Sequence, residues 1–230
     1  MAAGMRADGA GREGAPSERM RVRRRAERGR YERATVHAIL DEALVCHVGF
    51  AVDGQPWVIP TAHARDGETL YVHGSPASRM LRSLSSGIDM CVTATLVDGV
   101  VLARSAFHHS LNYRSVVVVG RARAVDDAEE RLRALRALVE HVARGRWAET
   151  RRPNARELAQ TLVLALPLAE ASAKLRTGPP LDDAEDLALP FWAGVVPLAL
   201  SPGAPEPDPG LAPGIARPAY AEAYRRPAPE

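Results

Sequence analysis

The sequence has few cysteines and no long apolar run. Its two cysteines, Cys46 and Cys91, each lie inside an apolar stretch, which favours buried, reduced thiols over a disulfide framework. No apolar segment approaches the roughly 20 residues that span a bilayer, and the N-terminus lacks the apolar centre of a secretion signal. We therefore expect a soluble, cytoplasmic protein without a membrane partner.

The sequence is also short of net charge and of lysine. Its 30 basic and 28 acidic residues leave a formal net charge of +2, too little for the whole molecule to be an electrostatic nucleic-acid binder. Lys174 is the only lysine. The excess of arginine is typical of a GC-rich genome, so it does not by itself indicate phosphate binding at each arginine.

The composition predicts one folded domain between two tails. Residues 1–29 are rich in Gly, Ala, Arg and Glu, and we predict a disordered Arg-rich tail there. A solvating role is favoured for it over weak nucleic-acid binding. Residues 30–200 form the predicted domain, and residues 201–230 form a Pro-rich C-terminal tail.

Apolar periodicity and turn residues predict short antiparallel strands with helices between them. Asp-Gly pairs at 53–54, 66–67 and 98–99 predict tight turns. The predicted helices cover 32–44, 76–85, 126–143 and 155–160, and the predicted strands cover 44–52, 55–64, 69–73, 88–96, 100–105, 116–125, 161–168 and 192–200. This pattern indicates a small β-barrel with peripheral helices (α+β). A Rossmann domain is disfavoured because no G-x-G-x-x-G motif is present.

The stretch from Tyr71 to Leu81 predicts a strand end, a glycine turn and a helix start. Ser75 is the expected helix cap and Pro76 the expected first helical residue. The first helical turn offers free N–H groups, Ser78 adds a hydroxyl, and Arg79 adds a fixed charge. The sequence therefore predicts a phosphate site here; an ordinary surface turn is the alternative.

Three other stretches carry candidate functional residues. Pro56 and Pro60 indicate a strand edge, or a place where another group meets the backbone of residues 56–61. Residues 108–115 are polar and aromatic between apolar strands, but their spacing matches no metal motif, so we predict no metal site. Trp192 could cover a bound ring or close the end of the barrel.

The order of these motifs resembles the pyridoxamine 5'-phosphate oxidase-like, FMN-binding split-barrel proteins. The motifs are CHVGF, GQPWVIPT, TLYVHGS followed by SR, MCVT, HHS followed by NYRSVVVVG, and LPFWAGVVPL, spread over residues 30–200. The resemblance is closest to the flavin-nucleotide-binding branch that includes nitroimidazole-resistance-type proteins. It implies a six-stranded antiparallel split barrel, a homodimer, and FMN in two clefts at the dimer interface.

The resemblance also implies a set of cofactor-binding residues. Those expected to border the flavin ring are Val58, Ile59, Pro60 and Thr61. Those expected around the phosphate are His73, Ser75, Ser78 and Arg79, and those near the cofactor and the interface are Asn112, Tyr113, Arg114 and Ser115. Trp192 is expected to approach the partner's flavin, and His73 is the candidate catalytic residue because histidine titrates near neutral pH.

The resulting functional prediction is an FMN-dependent oxidoreductase acting on a small organic molecule. The C-terminal residues 225–230 lack the basic segment with which the vitamin-converting oxidases hold their substrate, so we do not expect pyridoxamine phosphate as the substrate. Two alternatives stay open: a non-catalytic flavin-binding or flavin-sensing module, and a haem-binding member of the same barrel class.

Overall fold

Residues 14–225 are described by the computed structural model, and within them the chain forms ten β-strands and five α-helices. The strands are β1 (Gly29–Arg30), β2 (Val45–Val52), β3 (Gln55–Asp66), β4 (Thr69–Gly74), β5 (Asp89–Leu102), β6 (Ser110–Arg121), β7 (Arg123–Ala124), β8 (Leu162–Pro167), β9 (Ala171–Arg176) and β10 (Gly194–Pro197). The helices are α1 (Arg33–Glu42), α2 (Arg79–Ser85), α3 (Ala128–Val142), α4 (Ala155–Ala159) and α5 (Ala219–Glu222).

All strands belong to one antiparallel sheet with helices around it. Its order is β1-β9-β6-β5-β2-β3-β4-β8-β7, and β10 pairs separately with β5. The predicted class, an antiparallel barrel with peripheral helices, is confirmed. The sheet has more than the predicted six strands: seven are six residues or longer, the two-residue strands β1 and β7 lie at its ends, and the four-residue β10 pairs with β5. The sequence pattern reports the long central strands well and the two-residue strands poorly.

The main core lies on one face of the central strands of this sheet. Alternate residues of the central strands, such as Val48, Val92 and Val116, are fully buried there, and Leu40 of α1 and Leu84 of α2 close the core. Each such side chain contributes about 1.5–3 kcal/mol through burial. A smaller apolar cluster under α3 covers the opposite side of β4 and β8, so these two strands are buried on both faces.

The Asp98-Gly99 turn predicted from the sequence is wrong. The chain runs straight through this pair as β5, with a register shift against β6 between Val97 and Gly99. A Cβ atom on Gly99 would lie 3.1 Å from the carbonyl oxygen of Val196, so the glycine permits close approach of β10. The other two Asp-Gly pairs do mark hairpins, and Gly54 and Gly67 have positive φ angles of 78° and 55°.

The start of α2 also differs from the sequence prediction. The helix begins at Arg79, not at Pro76, and its cap is Ser78, whose Oγ accepts a hydrogen bond from the Leu81 amide at 3.5 Å. Ser75 instead closes the preceding turn by accepting from the Ala77 amide at 3.2 Å. Both serines are good caps, and burial of the apolar side chains that follow Ser78 selects the second one.

Residues 14–29 are ordered, in contrast to the predicted tail. Met20 is buried, and the Glu170 carboxylate accepts hydrogen bonds from the Ser17 hydroxyl at 2.5 Å and from Arg19 Nε at 2.8 Å. β1 then pairs with β9. These few anchors order a segment of otherwise polar composition. Residues 1–13 of the predicted tail lie outside the described residues.

Residues 201–225 are mostly extended, and α5 docks near their end. The Tyr220 hydroxyl donates to the Glu149 carboxylate at 2.6 Å, and the Tyr224 hydroxyl donates to the Val142 carbonyl at 2.9 Å. Residues 226–230 of the predicted C-terminal tail lie outside the described residues. Within the described part of the chain, no helix has the combination of length and apolar character that a membrane crossing requires.

Candidate functional site

The predicted phosphate loop leaves the sheet where β4 ends. His73 and Gly74 close β4 by pairing with Val163 and Leu162 of β8, and residues 75–78 then lead into α2. The Ser75 side chain is exposed, whereas Ser78 is partly buried as the helix cap. The loop therefore presents one exposed hydroxyl and the beginning of a short helix at the end of β4.

Arg79 stands beside this loop without a carboxylate partner among residues 14–225. Its guanidinium carbon lies 4.5 Å from the centre of the Trp57 ring of β3. A cation over a tryptophan face is attracted by about 0.5–1 kcal/mol when exposed. The Trp57 ring therefore holds the positive charge of Arg79 between the loop and β3. The hydrogen-bond donors of the guanidinium stay available.

The adjacent part of β3 has one unpaired edge. Residues 55–62 pair with β2, but β4 pairs only with residues 63–66, so no described strand covers the other edge of residues 55–62. This explains why Pro56 and Pro60 are tolerated inside a strand. Val58 is 66% exposed and Pro60 is exposed, while Ile59 packs against the core and Thr61 is partly buried. The segment offers backbone donors and acceptors next to Arg79.

His73 carries a buried ring nitrogen that has no hydrogen-bond partner in the described chain. The atom is Nδ1, and burial lowers the pKa of His73 below its usual value of 6.5. The ring is therefore neutral near pH 7. A buried polar atom without a partner is uncommon and calls for an explanation such as a missing ligand. Its position one residue before Gly74 places it at the root of the loop.

Three other predicted residues have contacts within the chain. Asn112 accepts from Arg176 and donates to the Gly178 carbonyl at 3.2 Å. Ser115 donates to the Lys174 carbonyl at 3.3 Å. Trp192 is 68% exposed, and its ring covers Gly194, where an added Cβ atom would lie only 2.9 Å from it. Asn112 and Ser115 therefore use hydrogen-bonding groups within the chain, and Trp192 packs on Gly194 while most of its surface stays exposed.

Arg114 forms a double ion pair. Its guanidinium donates to the carboxylates of Asp98 in β5 and Glu42 in α1, with the Asp98 pair at 2.8 Å. These hydrogen bonds raise the pKa of Arg114 further above its usual value. The arginine therefore links α1 to the sheet. Its charge is paired with carboxylates, and its hydrogen-bond donors have acceptors within the chain.

The structure contains a basic cavity that the sequence analysis missed. It has a volume of about 480 Å³, and its lining residues are Arg24, Arg25, Arg28, Phe107, His108, His109, Ser110, Tyr113, Lys174, Arg176 and Leu181. Five of these side chains are permanent cations, and none is a carboxylate. Of the predicted site residues, only Tyr113 lies here. The arginine run before residue 30 is the sequence signal for this cavity, but the composition of that segment predicts a tail.

Arg176 is the most buried cation of this cavity. It is 5% exposed, and it donates only to neutral oxygens: the Asn112 side chain, and the carbonyls of Gly178 at 3.3 Å and Pro179 at 3.1 Å. Burial and the nearby Arg28 lower the pKa of Arg176. A buried charge among other cations, without a carboxylate partner, favours an anion in the cavity.

An antiparallel sheet closed by peripheral helices, with a Ser- and Arg-bearing loop at the end of β4, defines a split-barrel protein. The model of the family described as pyridoxamine 5'-phosphate oxidase matches residues 32–175, and the chain belongs to this family. No curated protein matches the chain.

Solved structures extend the similarity over nearly the whole chain. The flavocytochrome Anf3 from Azotobacter vinelandii is 43% identical, with 93% of this chain and 99% of that chain covered and a TM-score of 0.87. The FAD and heme binding protein from Mycobacterium smegmatis is 37% identical, with 87% and 98% covered and a TM-score of 0.82. A candidate 5-nitroimidazole antibiotic resistance protein from Bacteroides thetaiotaomicron shares the fold at 22% identity, with 64% and 85% covered and a TM-score of 0.53.

Proposed function

We propose that this chain is a redox protein that binds a flavin nucleotide on the free edge of β3 and a haem as a second cofactor. The two solved structures described above at 43% and 37% identity are named as a flavocytochrome and as an FAD and heme binding protein. The second name favours FAD over the FMN that the sequence predicted, and both names favour haem as an addition to the flavin, not as a substitute for it.

The observation that carries the flavin assignment is the unpaired charge of Arg79. It sits over Trp57, near the partly exposed segment 58–61 and the Ser75 hydroxyl. An arginine without a carboxylate partner suits a phosphate, because its forked donors match the phosphate oxygens. The free edge of β3 suits a flat ring that has its own donors and acceptors.

His73 fits the same site as a positioning and proton-exchanging group. Its buried Nδ1 lacks a partner, and its lowered pKa keeps the ring neutral near pH 7, where it can accept or donate a hydrogen bond. A bound flavin supplies hydride or single-electron transfer. The chain supplies the phosphate contact through Arg79 and the donors of β3, and it holds a proton at His73.

We also propose that the chain acts as a homodimer. Val45, Val58 and Val97 are all at least 43% exposed, and the strand register places them on the same face of the sheet, away from the core. Large apolar side chains exposed on one face of a sheet are often found at interaction surfaces. A second copy on this face would cover the β3 segment and enclose the flavin site.

The test is the visible spectrum of the purified full-length protein, with the mass of the flavin released on denaturation. We expect flavin bands together with a haem Soret band, and a mass that distinguishes FAD from FMN. Absence of flavin binding after reconstitution would contradict the proposal. Reduction by NADH, NADPH or a ferredoxin-type donor, followed by reoxidation with an added acceptor, separates an oxidoreductase from a non-catalytic flavin-binding module.

A further inference from the structure

We propose that the basic cavity binds the linked phosphates of a nucleotide, with the base stacked on Phe107 at its rim. This cavity of about 480 Å³ is lined from three parts of the chain: the arginines of segment 24–28, the segment 107–113 and the stretch 174–181. The residues assigned above to the flavin site, such as Arg79 and His73, lie outside this lining. The assignment therefore goes beyond the proposed function and does not depend on it.

Strand β9 supplies two neighbouring cations to the basic cavity. Lys174 and Arg176 alternate with Ala173 and Leu175, which pack against the core, so the two cations share the opposite face of the strand. Arg176 is buried and donates only to neutral oxygens. The Lys174 ammonium has no hydrogen-bond or ion-pair partner among residues 14–225. Two adjacent cations without a carboxylate favour an anion that bridges them.

The N-terminal segment closes one side of the cavity with three arginines. Arg28 ends a short helical turn, and the next residue, Gly29, pairs with Lys174 of β9. Arg25 has a left-handed backbone with a φ angle of 57°, which is unfavourable for a non-glycine residue and is common in ligand-binding loops. Arg24 and Arg25 are exposed, and neither side chain has a partner within the described residues 14–225. These two arginines can turn onto a ligand without breaking an existing contact.

The number of cations favours linked phosphates over a single anionic group. Five permanent positive charges line the cavity, and one carboxylate would leave most of this charge uncompensated. Two linked phosphates carry about three negative charges at neutral pH, and their oxygens match the forked donors of arginine. The carboxylates close to the cavity do not supply this charge. Glu27, 4.0 Å from Arg28 Nε, and Asp183, 3.1 Å from His108 Nε2, are both mostly exposed to solvent.

Phe107 offers a surface for the base of such a nucleotide. It lines the same cavity, yet it is 87% exposed. It meets the His108 ring at an interplanar angle of 82° with the ring centroids 5.1 Å apart, which is an edge-to-face contact and covers little of the ring. Aromatic side chains beside a positively charged groove are typical stacking surfaces for nucleobases. The cationic lining suits the phosphates and the exposed ring suits a base, a combination that describes a nucleotide.

The test is titration calorimetry of the full-length protein, as purified and with its flavin content measured. The probes are ADP, inorganic diphosphate, inorganic phosphate and citrate. We expect ADP to bind at least about fivefold more tightly than diphosphate because of stacking, and diphosphate to bind more tightly than phosphate. Citrate has a negative charge similar to that of diphosphate but presents carboxylates, so we expect it to bind more weakly.

Four variants locate the site. Lys174→Met should weaken ADP and diphosphate about tenfold, the effect of one charge-assisted contact. Arg25→Asn, which keeps a residue that tolerates a left-handed backbone, should weaken both about threefold, and it tests the site even if Lys174→Met folds poorly. Phe107→Ala should weaken ADP at least about fivefold and leave diphosphate unchanged. The matched control is Arg136→Gln, which removes an exposed arginine of α3 outside the cavity and should change neither affinity.

A nucleoside diphosphate can arrive as a free nucleotide or as half of a dinucleotide cofactor, and competition separates these sources. If FAD displaces ADP and FMN does not, the cavity holds the linked phosphates of the dinucleotide. If neither flavin displaces ADP, the cavity takes a free nucleotide. Both results support the assignment.

Other results would overturn it. Citrate that binds as tightly as diphosphate would rule out selection of phosphates, and an equal loss of ADP affinity in Arg136→Gln and Lys174→Met would indicate only general surface charge. Displacement of ADP by FMN would place the nucleotide at the flavin site. Unchanged ADP affinity in Phe107→Ala would refute the stacking of the base. A protein that binds no flavin but binds ADP through Lys174 would instead refute the proposed function and leave this assignment intact.

Discussion

Replacing Arg79 with alanine should weaken flavin nucleotide binding by a predictable amount. A charge-assisted hydrogen bond to phosphate contributes about 1.5–3 kcal/mol. In the free protein the guanidinium rests on Trp57 at 4.5 Å, and leaving the ring costs about 0.5–1 kcal/mol. The difference is about 0.5–2.5 kcal/mol, which corresponds to roughly a two- to seventyfold loss of affinity.

The assay is titration of the apoprotein with three flavins, followed by quenching of flavin fluorescence. FMN and FAD carry phosphate and riboflavin does not, so the loss should appear with the first two and not with riboflavin. Arg82→Ala is the matched control, because Arg82 is an exposed arginine of the same short helix. We expect this control to bind all three flavins as the parent protein does.

Two outcomes would refute the reasoning. Equal losses for riboflavin and FMN would show that Arg79 supports the ring through Trp57, not the phosphate. Unchanged FMN affinity would show that the phosphate lies elsewhere, and the loop at the end of β4 would then be an ordinary turn. Because the alanine variant removes only an exposed side chain, we expect its unfolding free energy to change by about 1 kcal/mol at most.

Three further predictions concern stability and assembly. Burial lowers the pKa of His63 to about 4, so its contribution to stability is complete above pH 6.5 and is lost as the pH falls. His63→Leu should therefore remove about 2 kcal/mol of the decrease in unfolding free energy between pH 7.5 and 5. An unchanged pH dependence in urea titrations would contradict this. Arg114→Met should cost about 2 kcal/mol, because Glu42 and Asp98 lose their partner, and should leave flavin affinity unchanged; lower affinity at unchanged stability would make Arg114 a cofactor ligand. Val58→Asp should convert a dimer to a monomer in light scattering, and a dimer that persists would place the interface elsewhere.

Local sequence signals predicted the hairpins and the free edge of β3 better than they predicted the partners of the polar segment 112–115. Gly54 and Gly67 mark hairpins through local chemistry, and Pro56 and Pro60 indicate a free strand edge because proline cannot donate to a ladder. Such signals act within a few residues. The partners of Arg114 do not: Glu42 is 72 residues away along the chain, and only the packing of α1 against the sheet brings the two together.

The Asp98-Gly99 pair shows the opposite error, in which a local signal was strong and wrong. Asp-Gly favours a tight turn, yet here β10 packs over Gly99 and β5 continues through it. The contact that decides the outcome comes from residues 194–197, almost a hundred positions further along the chain. Local turn preference amounts to a few tenths of a kcal/mol up to about 1 kcal/mol, less than several ladder hydrogen bonds together.

Segment 14–30 is ordered against its composition and contributes to the basic cavity. Its composition predicts disorder, because it has few large apolar residues, but Met20, the Ser17 contact with Glu170 and the pairing of β1 with β9 are enough to hold it. Once held, it brings three arginines to the side of β9 and adds them to Lys174 and Arg176. In the order of the sheet, β5 and β2 separate the β9–β6 pair from β3. The basic cavity and the proposed flavin loop are therefore built from different strands. It follows that a deletion of residues 1–28 should weaken the binding of an anion in the basic cavity and should leave the phosphate contact of Arg79 unchanged. An Arg-rich N-terminus that serves only as a solvating tail would leave both unchanged.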